Sequence, residues 1–452
     1  MLFAMKCLAA AVVVAAAAAS ASAGGMWLPV QGVHSFERAG ALVAGADDAD
    51  ALWLDPAGLG RFAGSGTTGL SFDVAYLYQP VRYTAPGQPA VTNQQPGEGL
   101  PSLAGAIGLD DHWVIGAGLT WKYAPTSRYP AALSAGGMAF PAPERYASTG
   151  VAGTQYVELV AGAAYVVTPR LRIGATVQDL VTLLDLQVTA VGCPGAMACA
   201  AGDTSFDMPL ELKGTQAIAP SGSIGVQYAA RPELTLGAVV QAPTRISDGG
   251  TLTVTAPTAA VFRGMAVTGN TGTASFWLPP SVRAGVEYHA GIAMVEAAVD
   301  VELWSLQSSI DLAPDFSIGA FRASPVSIAR DYTTSVALSL GGEVQLGLVR
   351  LGAGLGYETA AAPTADVSVL TVEAPKWIVG LGGGYAADGW DIGVAASFVY
   401  QHDVDVTVTD AGVAAIEPLH DPGATAVPAN AGSYHAFDVM AGLRLARKFS
   451  AF

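Results

Sequence analysis

From residue 334 to 346 the chain sets Val336, Leu338, Leu340, Val344 and Leu346 on one parity and Ser339, Gly341, Glu343 and Gln345 on the other. A strand sends successive side chains to opposite faces, so this spacing gives one apolar face and one small or polar face. Residues 349–358 repeat the pattern, with Val349, Leu351, Ala353, Leu355 and Tyr357 against Arg350, Gly352, Gly354, Gly356 and Glu358. A further hairpin sets Trp390, Ile392, Val394, Ala396 and Phe398 against Asp391, Gly393 and Ser397. In 293–303 the polar face is acidic: Val295, Ala297, Val299, Val301 and Leu303 oppose Glu296, Asp300 and Glu302, which a helix would have scattered around its circumference. Strands with an apolar face for lipid and a polar face for a lumen belong to transmembrane barrels.

Composition narrows the choice. The 452 residues are 51% hydrophobic and only 13% charged, with a mean hydropathy of +0.41. That is too apolar for a disordered chain and too poorly charged for soluble domains of this length. The front reads as an export signal: one basic residue in Met1 to Lys6, an apolar stretch from Leu8 to Ala19, and small residues Ala21-Ser22-Ala23 at cleavage spacing. The stretch is too short and alanine-rich for a spanning anchor. Cys7 lies at its start rather than just after it, so the chain does not read as a lipoprotein. Cleavage is expected after Ala23. Downstream, no run of about eighteen apolar residues is free of charges or glycine clusters, so helical spans are not expected. Helices and closed barrels alone satisfy every backbone group in a bilayer, and the barrel remains.

Six tight polar turns are expected at Asp110-Asp111, Thr168-Pro169-Arg170, Ala230-Arg231-Pro232-Glu233, Ala290-Gly291, Leu346-Gly347 and Ala387-Asp388-Gly389. Seven longer connections rich in Pro, Gly, Thr and Ala fall at 84–100, 124–150, 190–205, 245–275, 312–333, 360–372 and 408–432. The fold class expected is therefore all-β, a transmembrane antiparallel β-barrel of about 14 strands, with short turns at one end and long loops at the other. The last strand runs from Tyr434 to Phe449 and the sequence closes on Phe452. The divisions expected are a leader at 1–23, a non-alternating segment of short helices and turns at 24–62, and the barrel at 63–452.

The net charge of -16 argues against nucleic acid, which needs clustered cations. Gly352-Ala353-Gly354-Leu355-Gly356 and Gly380-Leu381-Gly382-Gly383-Gly384 lie inside alternating strands and read as strand glycines, not phosphate loops. The six histidines are scattered, and neither a nucleophile elbow nor a His-Glu-x-x-His motif occurs. Spacing does not exclude a triad assembled from separate strands; the reading is nevertheless not an enzyme, with no cofactor. Cys193 and Cys199 flank a Gly-Pro turn in an exported chain and are expected to form a local disulfide, with no ligand-spaced partner for a metal. Asp47, Asp48 and Asp50 lack the glycine and terminal glutamate of a calcium loop, so no metal is expected there.

The segment Ala46-Asp47-Asp48-Ala49, followed after five residues by Asp55-Pro56-Ala57, resembles the hatch of the long-chain fatty-acid transporter family of outer-membrane proteins (FadL-like, including the TodX-like aromatic-hydrocarbon channels), except that Asp55 stands where that family has Asn. An amide donates and accepts, whereas a carboxylate only accepts. Leu278 to Tyr288 and Asp300 to Ser305 agree with the family as well, and Gly116 to Pro125 looks like its third strand, where a kink opens a lateral window. The resemblance implies a plug of short helices inside the lumen and an outer-membrane channel that takes up hydrophobic compounds. Such compounds would be captured on an apolar groove among the outer loops, transferred inside, and released after the hatch shifts, with lateral exit. It implies lipophilic small molecules as ligands, outer-membrane lipid and lipopolysaccharide as surroundings, a Gram-negative outer membrane as location, and a monomer.

On that reading the capture candidates are Val261, Phe262, Met265, Phe276 and Trp277, with ordinary loop packing or the aromatic girdle as the bland explanation. A fatty-acid carboxylate would need a cation, and lumen-facing parity nominates Arg283, Arg350 and Arg172, with Lys122 beside the window. The competing and preferred fate of these cations is pairing with lumen acids such as Glu287, Glu343 and Glu358, so a neutral aromatic hydrocarbon stays open as substrate. Rival functions are a family-like barrel with a structural or secretion-partner role, and a nonspecific diffusion pore.

Overall fold

The computed structural model describes residues 22–23, 30–135, 138–200, 202–421 and 427–450. The expected leader lies outside them apart from Ser22 and Ala23, as does Phe452. Fourteen antiparallel strands close a barrel: β1 Thr67–Tyr78, β2 Gly97–Gly108, β3 Trp113–Tyr123, β4 Gln155–Thr168 and β5 Leu171–Val191. They continue with β6 (Asp207–Gln216, then Pro220–Arg231), β7 (Leu234–Gln241, then Thr244–Val254), β8 (Val267–Leu278, then Ser281–Ala290), β9 (Ala293–Glu302, then Ser309–Ile318) and β10 (Val326–Ala329, then Ser335–Leu346). The last are β11 Val349–Glu358, β12 Lys376–Ala387, β13 Trp390–Gln401 and β14 Gly432–Ser450. Closure comes from β14 pairing with β1, Thr67 opposite Ser450 through Tyr78 opposite Val439.

All six expected turns join neighbouring strands at one end. Their local chemistry is visible: Asp110 Oδ1 accepts from the backbone N–H of His112 and of Trp113, each at 2.7 Å. Asp388 and Gly389, with φ of 52° and 79°, supply the two left-handed residues of a tight hairpin. The outward parity is apolar as expected, Leu340 at 53% and Leu381 at 62% exposure being typical. Exposed aromatics sit at both edges of this band: Trp113, Tyr288 and Trp390 beside the turns, and Tyr78, Trp377 and Phe437 at the opposite end. These are the two girdles of a membrane barrel.

Two of the long connections, 245–275 and 312–333, are shorter than expected. Residues 245–254 and 267–275 belong to β7 and β8, leaving a loop of 255–266, and half of 312–333 belongs to β9 and β10. The Thr-rich composition that suggested loops suits strands that continue beyond the membrane, because β-branched residues fit a pleated surface.

The same wall is interrupted at one level. β6 breaks at 217–219, β7 at 242–243, β8 at Pro279-Pro280, β9 at 303–308 and β10 at 330–334. The register places these gaps side by side: Gln241 faces Ser281, Thr244 faces Leu278, and Ser281 faces Glu302, which in turn faces Ser335. Pro243, Pro279 and Pro280 lack the N–H that a ladder requires. Within this belt Trp304, Gln307 and Arg330 are buried while Ile218, Leu303 and Leu306 stay exposed.

Candidate functional site: a plugged lumen beneath an apolar cavity

Residues 30–62 fold inside the barrel as helix α1 (Val33–Glu37), helix α2 (Ala51–Leu54) and a 3-10 helix at Pro56–Phe62. Alternation is absent here because every side is enclosed: Phe36, Leu42, Leu52, Trp53 and Leu59 are all buried. Asp55 caps the 3-10 helix, its Oδ1 accepting from Ala57 N at 2.9 Å, and Pro56 starts the helix where an N–H is not needed. The acceptor half of the residue is thus used, while Oδ2 is buried without a hydrogen-bond partner. Asp47 stays exposed and Ala57 is fully buried.

The plug is held by ions. Glu296 on β9 accepts from Arg38 Nη2 at 2.7 Å, and its carboxylate also takes the backbone N–H groups of Val43, Ala44 and Gly45 at 2.7, 2.8 and 3.0 Å. Arg444 on β14 grips Asp50 at 2.5 Å and Asp48 at 2.6 Å. Arg350 on β11 binds Glu37 and lies 3.4 Å from Glu343, whose other oxygen is 2.7 Å from His34 Nε2. His34, Glu37 and Glu343 form the group with metal-ligand chemistry among the described residues, but Arg350 and Arg38 already occupy its carboxylates. The wall glycines make room for this contact: a Cβ on Gly380 would lie 2.0 Å from Phe36 O, and one on Gly354 2.2 Å from Arg38 C.

Between the plug, at Val30, Leu42 and Leu54, and the barrel wall lies a small chamber whose wall carries Arg283, Asp300, Glu302 and Glu358. Beyond it, within the belt, is a second concavity lined mainly by apolar groups, among them Tyr156, Leu184, Phe276, Trp304 and Tyr332. Trp304 separates the two: it is fully buried, lines the apolar cavity and donates its Nε1–H to Glu302 at 2.5 Å, turning that acid away from the cavity. A third, outer groove shares Leu186, Val188 and Ile416 with the apolar cavity and continues over Leu210, Leu252 and Leu312. The groove and the cavity therefore lie side by side across these three apolar residues.

The nominated residues fall in several places. Phe276 lines the apolar cavity. Phe262 is buried against Phe321 at 5.7 Å between ring centres, in the loop packing beside the outer groove. Trp277 points outward with Arg245 over its ring at 5.4 Å, a girdle position. The nominated cations belong to the plug level: Arg283 donates to Trp53 O at 2.9 Å, Arg350 pairs as above, and Arg172 donates to Gln227 at 2.9 Å. Lys122 is buried on β3, facing Glu158, Asp300 and Glu302. Cys193 and Cys199 are joined by a disulfide in the loop after β5. The cavity's own cation is Arg330, which parity could not find because it sits in the break of β10, inside an expected loop.

At the third strand, the ladder between β2 and β3 covers only Leu103–Gly108 against Val114–Leu119, while β2 continues pairing with β1 up to Gly97. On its other side β3 shifts register against β4 between Trp121 and Tyr123. The wall is unpaired there, beside Lys122.

A closed, plugged, fourteen-stranded barrel with an apolar cavity beneath its loops defines a plugged membrane channel. The family model described as outer membrane protein transport protein (OMPP1/FadL/TodX) matches residues 14–436, and the chain belongs to that family. A solved Pseudomonas aeruginosa FadL homologue is 14% identical, covering 94% of this chain and 99% of its own with a TM-score of 0.75. The P. putida toluene transporter TodX is 16% identical over 89% of this chain and 95% of its own, TM-score 0.64. The Ralstonia pickettii toluene transporter TbuX is 17% identical over 93% and 99%, TM-score 0.65. No curated protein matches the chain. The protein is an outer-membrane transporter of hydrophobic compounds.

Proposed function

We propose that the protein takes a lipophilic molecule from the outer groove into the apolar cavity and releases it, once the plug shifts, through the unpaired wall between β2 and β3. The observation that carries this is the adjacency of groove and cavity across Leu186, Val188 and Ile416 above a lumen filled by the plug. Burial of an aliphatic or aromatic group there gains about 25 cal/mol per Å² of apolar surface removed from water, with no open aqueous pore required. Phe276 contacts the ligand in the cavity, and Phe262 supports the loop that borders the groove. Toluene is named as the cargo of two similar solved proteins, and long-chain acids are the other candidate class.

Reconstituted in lipid nanodiscs, the protein is expected to bind oleate, alkanes or toluene saturably, and in liposomes to pass small sugars slowly. Free sugar permeation with no saturable binding of any hydrophobe would replace this reading with a diffusion pore.

A further inference from the structure

Resting on that reading, we infer that residues 416–421, in the loop between β13 and β14, are a strap across the outer mouth of the apolar cavity, braced by the Cys193–Cys199 disulfide. Its lifting sets the rate at which cargo exchanges between groove and cavity. Ile416 is 4% exposed and lines both concavities, and Pro418 lines the groove. The strap reaches from one side of the mouth to the other. On the β5 side Val191 N donates to Ile416 O at 2.8 Å, Gly195 N to Leu419 O at 2.9 Å, and Asp421 N to Gly195 O at 3.0 Å. On the far side Ser324, between β9 and β10, donates its N–H to Pro418 O at 2.8 Å.

These bonds, with Ile416 and Leu419 buried in one apolar cluster with Val188, Leu210 and Leu252, hold the strap down. Its charged pair closes on itself, His420 Nδ1 lying 2.6 Å from Glu417 Oε2, so lifting strands neither group. The roots are fixed separately: Val413 N donates to Asn430 Oδ1 at 3.1 Å, and Asn430 Nδ2 donates to Ala365 O and Val367 O, each at 2.7 Å. The strap can therefore open locally, breaking loop hydrogen bonds but no barrel ladder. The brace acts through Gly195, which gives the strap both its N–H and its C=O from a φ of 57°, a conformation that suits glycine. Cys193 and Cys199, six positions apart, close the turn that carries it and so restrict the alternatives open to that turn. Cys193 is 1% exposed and shares an apolar cluster with Val191 and with Ala415, the residue before the strap. Outside the cell this bond stays oxidised. Closed is then the resting state, and cargo passes while the strap is lifted.

The test measures release of tritiated toluene and, in parallel, of tritiated oleate from the whole barrel with its plug in amphipol, chased with unlabelled probe. Tris(2-carboxyethyl)phosphine opens the brace: the phosphine takes oxygen from water and becomes the phosphine oxide, while the two sulfurs take the two protons and become thiols. Reduced wild type and C193S/C199S should both release probe at least about fivefold faster than the oxidised protein, with Kd within about threefold. The phosphine should leave C193S/C199S unchanged. Hydrogen exchange at 416–421 should quicken in the same samples while that of β14 does not. Faster exchange with an unchanged release rate would assign the disulfide to loop stability alone and overturn the inference, as would slower release; the transport reading survives both results. Saturable binding of neither probe by a folded wild type overturns that reading and the inference with it. Should C193S/C199S fail to insert, reduction of inserted wild type decides.

Discussion

Glu296 accepts the Arg38 guanidinium at 2.7 Å and the N–H groups of Val43, Ala44 and Gly45 at 2.7 to 3.0 Å. One wall carboxylate thus neutralises a plug cation and satisfies three consecutive backbone donors. Glu296→Ala would leave the three backbone donors buried and unpaired and Arg38 with only its 3.5 Å contacts to Glu287 and Glu343, a loss on the order of 3 kcal/mol in plug docking. The expected outcome is a barrel that still inserts but shows frequent high-conductance bursts in planar bilayers. Glu296→Gln keeps the acceptor oxygen and should fall between the two. Quiet traces from the alanine variant would show that other contacts hold the plug.

Deleting residues 24–62 tests the plug as a whole. The helices fill the lumen and the wall glycines are fitted to them, so removal should raise single-channel conductance several-fold while the heat-modifiable gel shift of the barrel persists. Conductance equal to that of the intact chain would mean that the plug does not block the path.

Phe276 and Trp277 are neighbours on β8 with opposite directions, the first lining the apolar cavity and the second facing outward. Phe276→Asp places a carboxylate in an apolar site and should weaken hydrophobe binding by about tenfold or more. Trp277→Ala should leave the affinity unchanged within about twofold. Calorimetry on the two variants separates the cavity from the girdle, and equal losses would contradict the assigned directions.

Glu144, in the loop between β3 and β4, is fully buried and neither carboxylate oxygen has a hydrogen-bond partner. Burial pushes its pKa up from 4.5 to about 7. The folded loop therefore holds the proton more tightly than the unfolded one, so its contribution to stability is complete below about pH 4.5 and is lost as pH rises through about 7. At pH 8 the loop of the wild type should be cut by protease faster than that of Glu144→Gln, and at pH 5 the two should match. Identical rates at both values would show that the carboxyl is solvated.

Much of the barrel was legible because a membrane strand must present apolar groups at every second position, and the turn chemistry of Asp110 or Asp388-Gly389 is local. The glycine runs at 352–356 and 380–384 were placed in strands from the same alternation. Their purpose was not visible there: Gly354 and Gly380 are small because Arg38 and Phe36 pass against them, and those partners are more than 300 positions away in the chain. The arginines were found by parity, but parity says only that a side chain faces the lumen. Whether it meets a plug carboxylate, as Arg350 does, or a cavity wall depends on its height along the barrel.

The sequence by itself determined the class of fold, the turns, the apolar outer surface and the family, because each is written in spacing along a few consecutive residues. Only the tertiary structure decided where charge ends up. The aligned breaks of β6 to β10 arise from residues spread over more than 100 positions, and their coincidence at one level creates the cavity and turns Trp304 and Arg330 into it. A break in alternation carries no direction of its own; the neighbouring strands that close around it supply one.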